Sequence, residues 1–243
     1  MIRKQLYRHV FHGNNDRFRG YVVDTDEHHA AARKLHAEVY LRKGFIYEQD
    51  VDSDGFITLA ADPYQAHATQ FVICRIQADG SEEVVATSRL IFSCKKGLAD
   101  LPLLQQAKLY PDIAKSIANY DHKKSAEVSG LVKRQGVSMI ATLLLYRLMW
   151  RYSLERGDEL WLMACSPALF RRLKRLFGET VTQIGDPAHY TGEDVIPAMV
   201  EVQRGSEMLK KRAQTRHPWK RIINKELLAF FTDDDHFMVK HHE

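Results

Sequence analysis

Apolar and polar positions alternate along Phe18, Tyr21 and Val23, which predicts a first strand. Asp24 followed three residues later by Glu27 has the form of a helix start. From Glu27 to Lys43 the apolar residues Leu35 and Val39 stand four apart, the spacing of one helix face. Residues 44–66 carry Gly44, Gly55, Pro63 and several acids, and read as a long loop. Two strands rich in Val, Ile and Phe follow, Thr69 to Gln77 and Glu83 to Ser93, joined as a hairpin across Asp79-Gly80. Leu98 to Ala118 predicts short helices around Pro102 and Pro111. Ser125 to Lys133 is a strand broken by Gln135-Gly136, and Ser138 opens a helix from Met139 to Arg156 that stops at Gly157. Glu159 to Cys165 is a strand, and Pro167 to Phe177 a helix with Gly178 past its end. Val181 to Ile184 and Val195 to Val202 form a strand pair. The basic stretch from Arg204 is helical around Ile222 to Phe231 and runs into Asp233-Asp234-Asp235-His236.

Strand–helix–strand–helix succession requires crossovers, and the hairpin before it makes the sheet mixed, so the class is α/β. Residues 1–203 form one domain and residues 204–243 a basic, helical extension. A chain of 243 residues with 45% apolar and 27% charged residues can bury a core without disulfides or metal. The longest apolar run, Met139 to Tyr146, is too short to span a bilayer. The basic start, Met1 to Arg8, is not followed by the apolar stretch of a signal peptide. Cys74, Cys94 and Cys165 are odd in number and widely spaced, which fits a reducing cytoplasm and neither a disulfide framework nor a zinc site. A net charge of +4 permits an acidic partner without implying nucleic acid.

Three segments go beyond element order. They are Ala86-Thr87-Ser88-Arg89-Leu90-Ile91 with Leu101-Pro102-Leu103; Ala126-Glu127-Val128-Ser129-Gly130-Leu131-Val132; and Ser166-Pro167-Ala168-Leu169-Phe170-Arg171-Arg172-Leu173, continuing through Ile184-Gly185-Asp186-Pro187-Ala188-His189-Tyr190-Thr191-Gly192 to Ile196-Pro197-Ala198. Over about residues 20–203 the chain resembles the acyl-homoserine-lactone-synthase-like branch of the GNAT superfamily, and within it the N-acyl amino acid synthases. The resemblance implies a GNAT (acyl-CoA N-acyltransferase) fold, a mixed, mostly antiparallel central sheet flanked by helices, with the C-terminal helical extension added. It implies an N-acyltransferase with no permanently bound cofactor, which takes an acyl group from acyl carrier protein or a CoA thioester to a small amine. The family's conserved Arg falls on Arg89 and its conserved Glu on Glu127. The lactone synthases follow that Glu with Ser-Arg-Phe; here Ser129-Gly130-Leu131 follows, which points to an amine other than theirs.

N-acylation needs a neutral amine, an oriented thioester, donors for the developing oxyanion and a groove for the phosphopantetheine arm. Glu127, in an otherwise apolar strand, is the candidate base, because burial raises a carboxyl's affinity for a proton. Arg89 would bind a substrate carboxylate or fix Glu127, since its fork suits both; a structural ion pair serves equally. Leu131, Val132, Lys133, Arg134, Gly136, Val137 and Ser138 lead from strand to helix and are assigned to the thioester arm, backbone N–H groups at a helix start being phosphate donors. A plain helix start capped by Ser138 is the alternative. Asp52 and Asp54 lie where the family places acids near the amine, and could equally belong to a solvated loop. Asp50 to Gly55 begins like a calcium loop, but the twelfth position is Ala61 where Glu is required, so no metal is assigned. Cys165 lacks a matched His for nucleophilic work, and the histidines show no ligand spacing. The basic residues Arg171, Arg172, Lys174 and Arg175, with Lys210, Lys211, Arg212, Arg216, Lys220 and Arg221 of the tail, suit acidic acyl carrier protein or simply face solvent. No nucleic-acid module is present. Two other functions stay open, a short-chain acetyltransferase using acetyl-CoA and a non-catalytic acyl- or partner-binding domain.

Overall fold

The structure, a computed structural model, describes residues 10–13, 16–93, 97–190 and 193–232. The basic start Met1 to Arg8, Cys94, the Thr191-Gly192 part of the third segment, and the acidic and histidine-bearing end from Asp233 lie outside the described residues. The chain divides into two compact units. One holds Met1–Arg89, Gly130–Met149 and Asp234–Glu243, the other Leu90–Ser129 and Trp150–Asp233.

In the first unit β1 (Val10–Gly13), β2 (Asp16–Val22), β3 (Ala68–Ile76) and β4 (Glu82–Phe92, to Arg89 in this unit) follow one another as neighbours. β1 and β2 are antiparallel, as are β2 and β3, with Gly20 opposite Ile73. β4 returns from β3 through the expected turn, in which Gly80 takes a φ of 85° and donates to the Gln77 carbonyl at 3.0 Å. β1 was not legible in the sequence: four residues are too few to show a period. Helix α1 (Asp26–Lys43) is capped by Thr25, whose hydroxyl accepts from the His28 N–H at 3.3 Å, one residue after the Asp24 cap the sequence suggests. Asp26 and Glu27 in the first turn and Arg42 and Lys43 in the last complement the helix dipole, and Gly44 ends it in the left-handed conformation. Its buried residues Ala32, Leu35 and Val39 pack with Val72, Cys74, Val84 and Val132.

The second unit contains the first half of β5 (Ser125–Lys133), parallel to β6 (Leu160–Cys165) with Glu127 opposite Leu162. β9 (Glu193–Glu201) runs antiparallel to β6, and both β7 (Val181–Gln183) and β8 (Ala188–Tyr190) pair antiparallel with β9. Leu160, Trp161, Leu162 and Met163 are all buried, so β6 is covered on both faces, as its unbroken apolar run requires. Around these strands are α2 (Pro102–Gln106), α3 (Pro111–Ile117), the second part of α4 (Met139–Arg156), α5 (Pro167–Phe177), α6 (Val202–Ala213) and α7 (Pro218–Thr232). The break drawn at residue 204 falls inside α6.

An aromatic cluster organises this unit. Trp150 of α4 stacks on Phe177 at 4.7 Å and meets Trp161 edge-on at 5.3 Å, with Phe231 of α7 against Trp150 and Phe177. Its indole N–H donates to the Ser206 hydroxyl of α6 at 3.2 Å, and that of Trp161 to Ser153 at 2.8 Å. A Cβ on Gly205 would lie 2.7 Å from the Trp150 ring, so α6 approaches this closely only with glycine there. Among the described residues no helix is long and apolar enough to cross a membrane. Trp150→Ala should destabilise the protein by about 3–5 kcal/mol, read from urea unfolding followed by circular dichroism.

Candidate active site

Arg89, at the end of β4 in the first unit, is buried, and its guanidinium forks onto Asp62. Nη1 donates to Oδ2 at 2.5 Å and Nη2 to Oδ1 at 3.0 Å, with both side chains under a tenth exposed. Such a pair holds its geometry because breaking either half strands a buried charge, at a cost of about 3–5 kcal/mol. Asp62 comes from the segment 44–66, which is more ordered than a plain loop. Glu48–Asp50 and Gln65–His67 are single 3₁₀ turns, and Val51 bridges Ile57.

The pair forms part of the wall of a small, open cavity. Arg33 and His36 of α1 and Gln65 and Gln70 contribute further polar groups to it. Arg33 lies with its guanidinium carbon 4.2 Å from the centre of the Phe56 ring, and its Nε has no hydrogen-bond partner. With Asp62 matched to Arg89, the Arg33 cation gives the cavity an excess of positive charge. His36 is packed edge-on to Tyr40 at 4.1 Å, and its Nε2 is unpartnered. Burial, reinforced by the Arg89 charge and opposed by Asp62, lowers its pKa to about 3, so the ring is neutral at ordinary pH. Beside it Gly130 takes a φ of 62°, and a Cβ there would stand 3.1 Å from His36 Cε1 and 3.3 Å from Nε2. Glycine is thus required twice, for its backbone and for the imidazole.

Glu127, in the second unit, is 5% exposed, and its Oε2 accepts from the Leu103 N–H at 2.8 Å, at the start of α2. The Leu131–Ser138 stretch, in the first unit, is tied down by its own cations. Lys133 Nζ donates to the Val137 carbonyl at 2.6 Å and the Arg134 carbonyl at 3.3 Å, while Arg134 reaches Glu83 at 3.3 Å and Glu38 at 3.5 Å. Gly136 has a φ of 80°, and Ser138 accepts from the Ile140 N–H at 3.2 Å as α4 begins. Asp52 and Asp54 are exposed and stand outside the cavity wall. Asp52 closes its own turn, accepting from the N–H groups of Asp54 at 3.0 Å and Phe56 at 2.9 Å.

Of the polar cavity residues, the sequence analysis did not single out Arg33, Asp62, Gln65 or Gln70, and it weighed His36 only among histidines without a ligand spacing. For His36 a signal existed: it lies on the buried face of α1, next to Leu35 and four residues from Ala32, where a polar residue needs a reason. Asp62 carried none, since its partner is distant in sequence. Cys165 is buried and its thiol pushed up to about 12, which suits a core residue rather than a nucleophile. Among the described residues one group could bring metal ligands together, His28, Cys74 and Glu82. Glu82 is already engaged by Arg19 and by the Tyr21 hydroxyl at 2.7 Å, and burial pushes the Cys74 thiol up to about 12.

The architecture is that of the GNAT acyltransferases, as the sequence led us to expect. FeeM, an N-acyl amino acid synthase from uncultured soil microbes, superposes with a TM-score of 0.58 at 18% identity, over 79% of this chain and 95% of that one. The acyl-homoserine lactone synthase LasI gives 0.56 at 18%, over 77% and 91%. BjaI, a CoA-dependent acyl-homoserine lactone synthase solved with SAM and isopentyl-CoA, gives 0.54 at 15%, over 76% and 82%. No curated protein sequence matches. The profile of the N-acyl amino acid synthase FeeM family matches residues 31–200, and the chain belongs to that family. It is an acyltransferase.

A histidine whose pKa falls from 6.5 to about 3 on folding binds its proton only in the unfolded chain, so acid favours unfolding. This contribution is complete above pH 6.5 and is lost as pH falls towards 3. Between pH 6 and 4 the unfolding constant of the wild type should rise about tenfold more per pH unit than that of His36→Gln, measured by urea titrations of both proteins.

Proposed function

We propose that this acyltransferase moves a long acyl chain from the thioester of acyl carrier protein or CoA onto the α-amine of an amino acid, in the cytoplasm. The observation that carries the acceptor is the cavity that joins the Asp62–Arg89 pair to Arg33. An amino acid offers an ammonium and a carboxylate, which suit Asp62 and Arg33 respectively. We assign the ammonium to Asp62 rather than to Asp52 or Asp54, which are exposed and stand outside the cavity wall.

Glu127 takes the amine proton. The neutral nitrogen attacks the thioester carbonyl and a C–N bond forms; the C–S bond breaks as the nitrogen gives up its second proton, which passes to the leaving thiolate. Arg89 holds Asp62 in place through both carboxylate oxygens. The Leu131–Ser138 stretch receives the phosphopantetheine arm through its backbone, since Lys133 and Arg134 are engaged within the protein. Family membership supports the reaction class, and the burial of Glu127 supports its role as a base.

Small molecules extracted from cells that express the protein, analysed by mass spectrometry, should contain fatty amides that are missing with Glu127→Gln. Their masses would name both chain and amine. In purified enzyme Glu127→Gln should lower kcat about 10²–10⁴-fold. A product carrying only acetyl groups would replace the long-chain donor with acetyl-CoA.

Arg33→Gln should raise KM for an amino acid about tenfold or more and leave kcat within a few-fold, while KM for the corresponding amino acid amide barely moves. An equal effect on both acceptors would remove Arg33 from carboxylate binding.

A further inference from the structure

One face of the first two turns of α7 is uncovered among the described residues. Trp219 is 80% exposed, Ile222 53% and Ile223 66%. At helical spacing these three fall on one arc, i, i+3 and i+4. Lys220 borders the arc on one side and Lys225 on the other, Arg221 lies further round the helix, and Arg216 and His217 precede it, all exposed. No acid occurs from Arg216 to Lys225; Glu226 begins the next turn on the same arc. The helix is fixed from behind, where Asn224 donates to the Arg212 carbonyl of α6 at 2.9 Å and Phe231 enters the aromatic cluster.

We propose that this face docks on an anionic phospholipid bilayer, with Trp219, Ile222 and Ile223 entering the interface and the flanking Lys and Arg side chains on the headgroups. Charge complementarity supports the choice of occupant. Arg216, Lys220 and Lys225 around the arc outnumber its one acid, Glu226, and a net cationic face is attracted to a negative surface. The apolar arc separates a membrane from an acidic protein. Charges alone would serve an acidic protein, whereas an indole and two Ile side chains on a convex helix need a soft medium that closes around them. Tryptophan also prefers the headgroup level, where its ring meets hydrocarbon and its N–H meets water. This inference concerns location and is independent of the reaction proposed above.

Fluorescence can follow this face, because Trp150 and Trp161 are 1% and 2% exposed and an emission change in the folded protein belongs to Trp219. The full chain is mixed with sonicated vesicles of phosphatidylcholine alone or of phosphatidylcholine and phosphatidylglycerol in equal parts. Binding is read by co-sedimentation, and Trp219 by its emission maximum and its quenching by acrylamide. The expected result is sedimentation with the anionic vesicles only, weakened by high salt, with a blue shift and protection from acrylamide. Trp219→Ser with Ile222→Ser and Ile223→Ser should weaken partitioning at least about tenfold while the circular dichroism spectrum is unchanged. Lys220→Glu with Arg221→Glu should weaken it as well. The proposal is overturned if neither vesicle binds, or if the triple variant binds as well as the wild type. It is overturned too if Trp219 is already blue-shifted and protected without lipid, because another part of the chain or a second copy then covers it. Saturable binding of acyl carrier protein that the triple variant abolishes, with no vesicle binding, would reassign the face to a protein.

Discussion

The buried pair of Asp62 and Arg89 is the constraint on which the first unit's chemistry depends. Arg89 is a buried cation on β4, and a buried charge needs a partner. Asp62 answers that charge from a segment with few regular elements, and so the segment 44–66 is drawn against the sheet and given a fixed course. The cavity exists because that segment is held. His36 is neutral first because burial disfavours its charged form, and the Arg89 charge adds to that penalty.

Much of the architecture was legible because it rests on local signals. The hairpin at Asp79-Gly80, the stop at Gly157, and the Pro167 and Gly178 that bracket α5 each act within a few residues. They appear where the sequence places them, α5 with its N-cap one residue earlier at Ser166. The misses lie where local signals are weak. β1 and β8 are short, and the helix cap passes from Asp24 to Thr25 because both residue types can cap and only the chain's turn decides between them. The basic C-terminal stretch contains two helices where one was expected, since Thr215 to His217 break it with no glycine to announce the break.

The site was legible only in outline. Family resemblance drew attention to Arg89 and Glu127, but the partners that give them meaning, Asp62 and the Leu103 amide, are distant in sequence, and nothing in a single chain couples them. Asp52 and Asp54 look like substrate ligands because acids are conspicuous in a loop. The structure has Asp52 hold a turn, a role that a side chain two and four residues from its partners fills without a ligand. Lys133 and Arg134 belong to the stretch assigned to the thioester arm through its backbone, and their side chains bind a carbonyl and carboxylates of their own protein.

The close approach of Gly205 to Trp150 has a consequence for how this chain can diverge. A methyl group at 205 collides with the indole, so while residue 150 is tryptophan, position 205 is closed to every side chain. The two positions lie on different helices, 55 residues apart, yet they share one volume. A smaller ring at 150 would open 205, and a larger residue at 205 could then refill the void. Relatives that have moved one position should therefore have moved the other, with the intermediate step carrying the burden of a hole or a clash. Drift in this core is confined to paired steps.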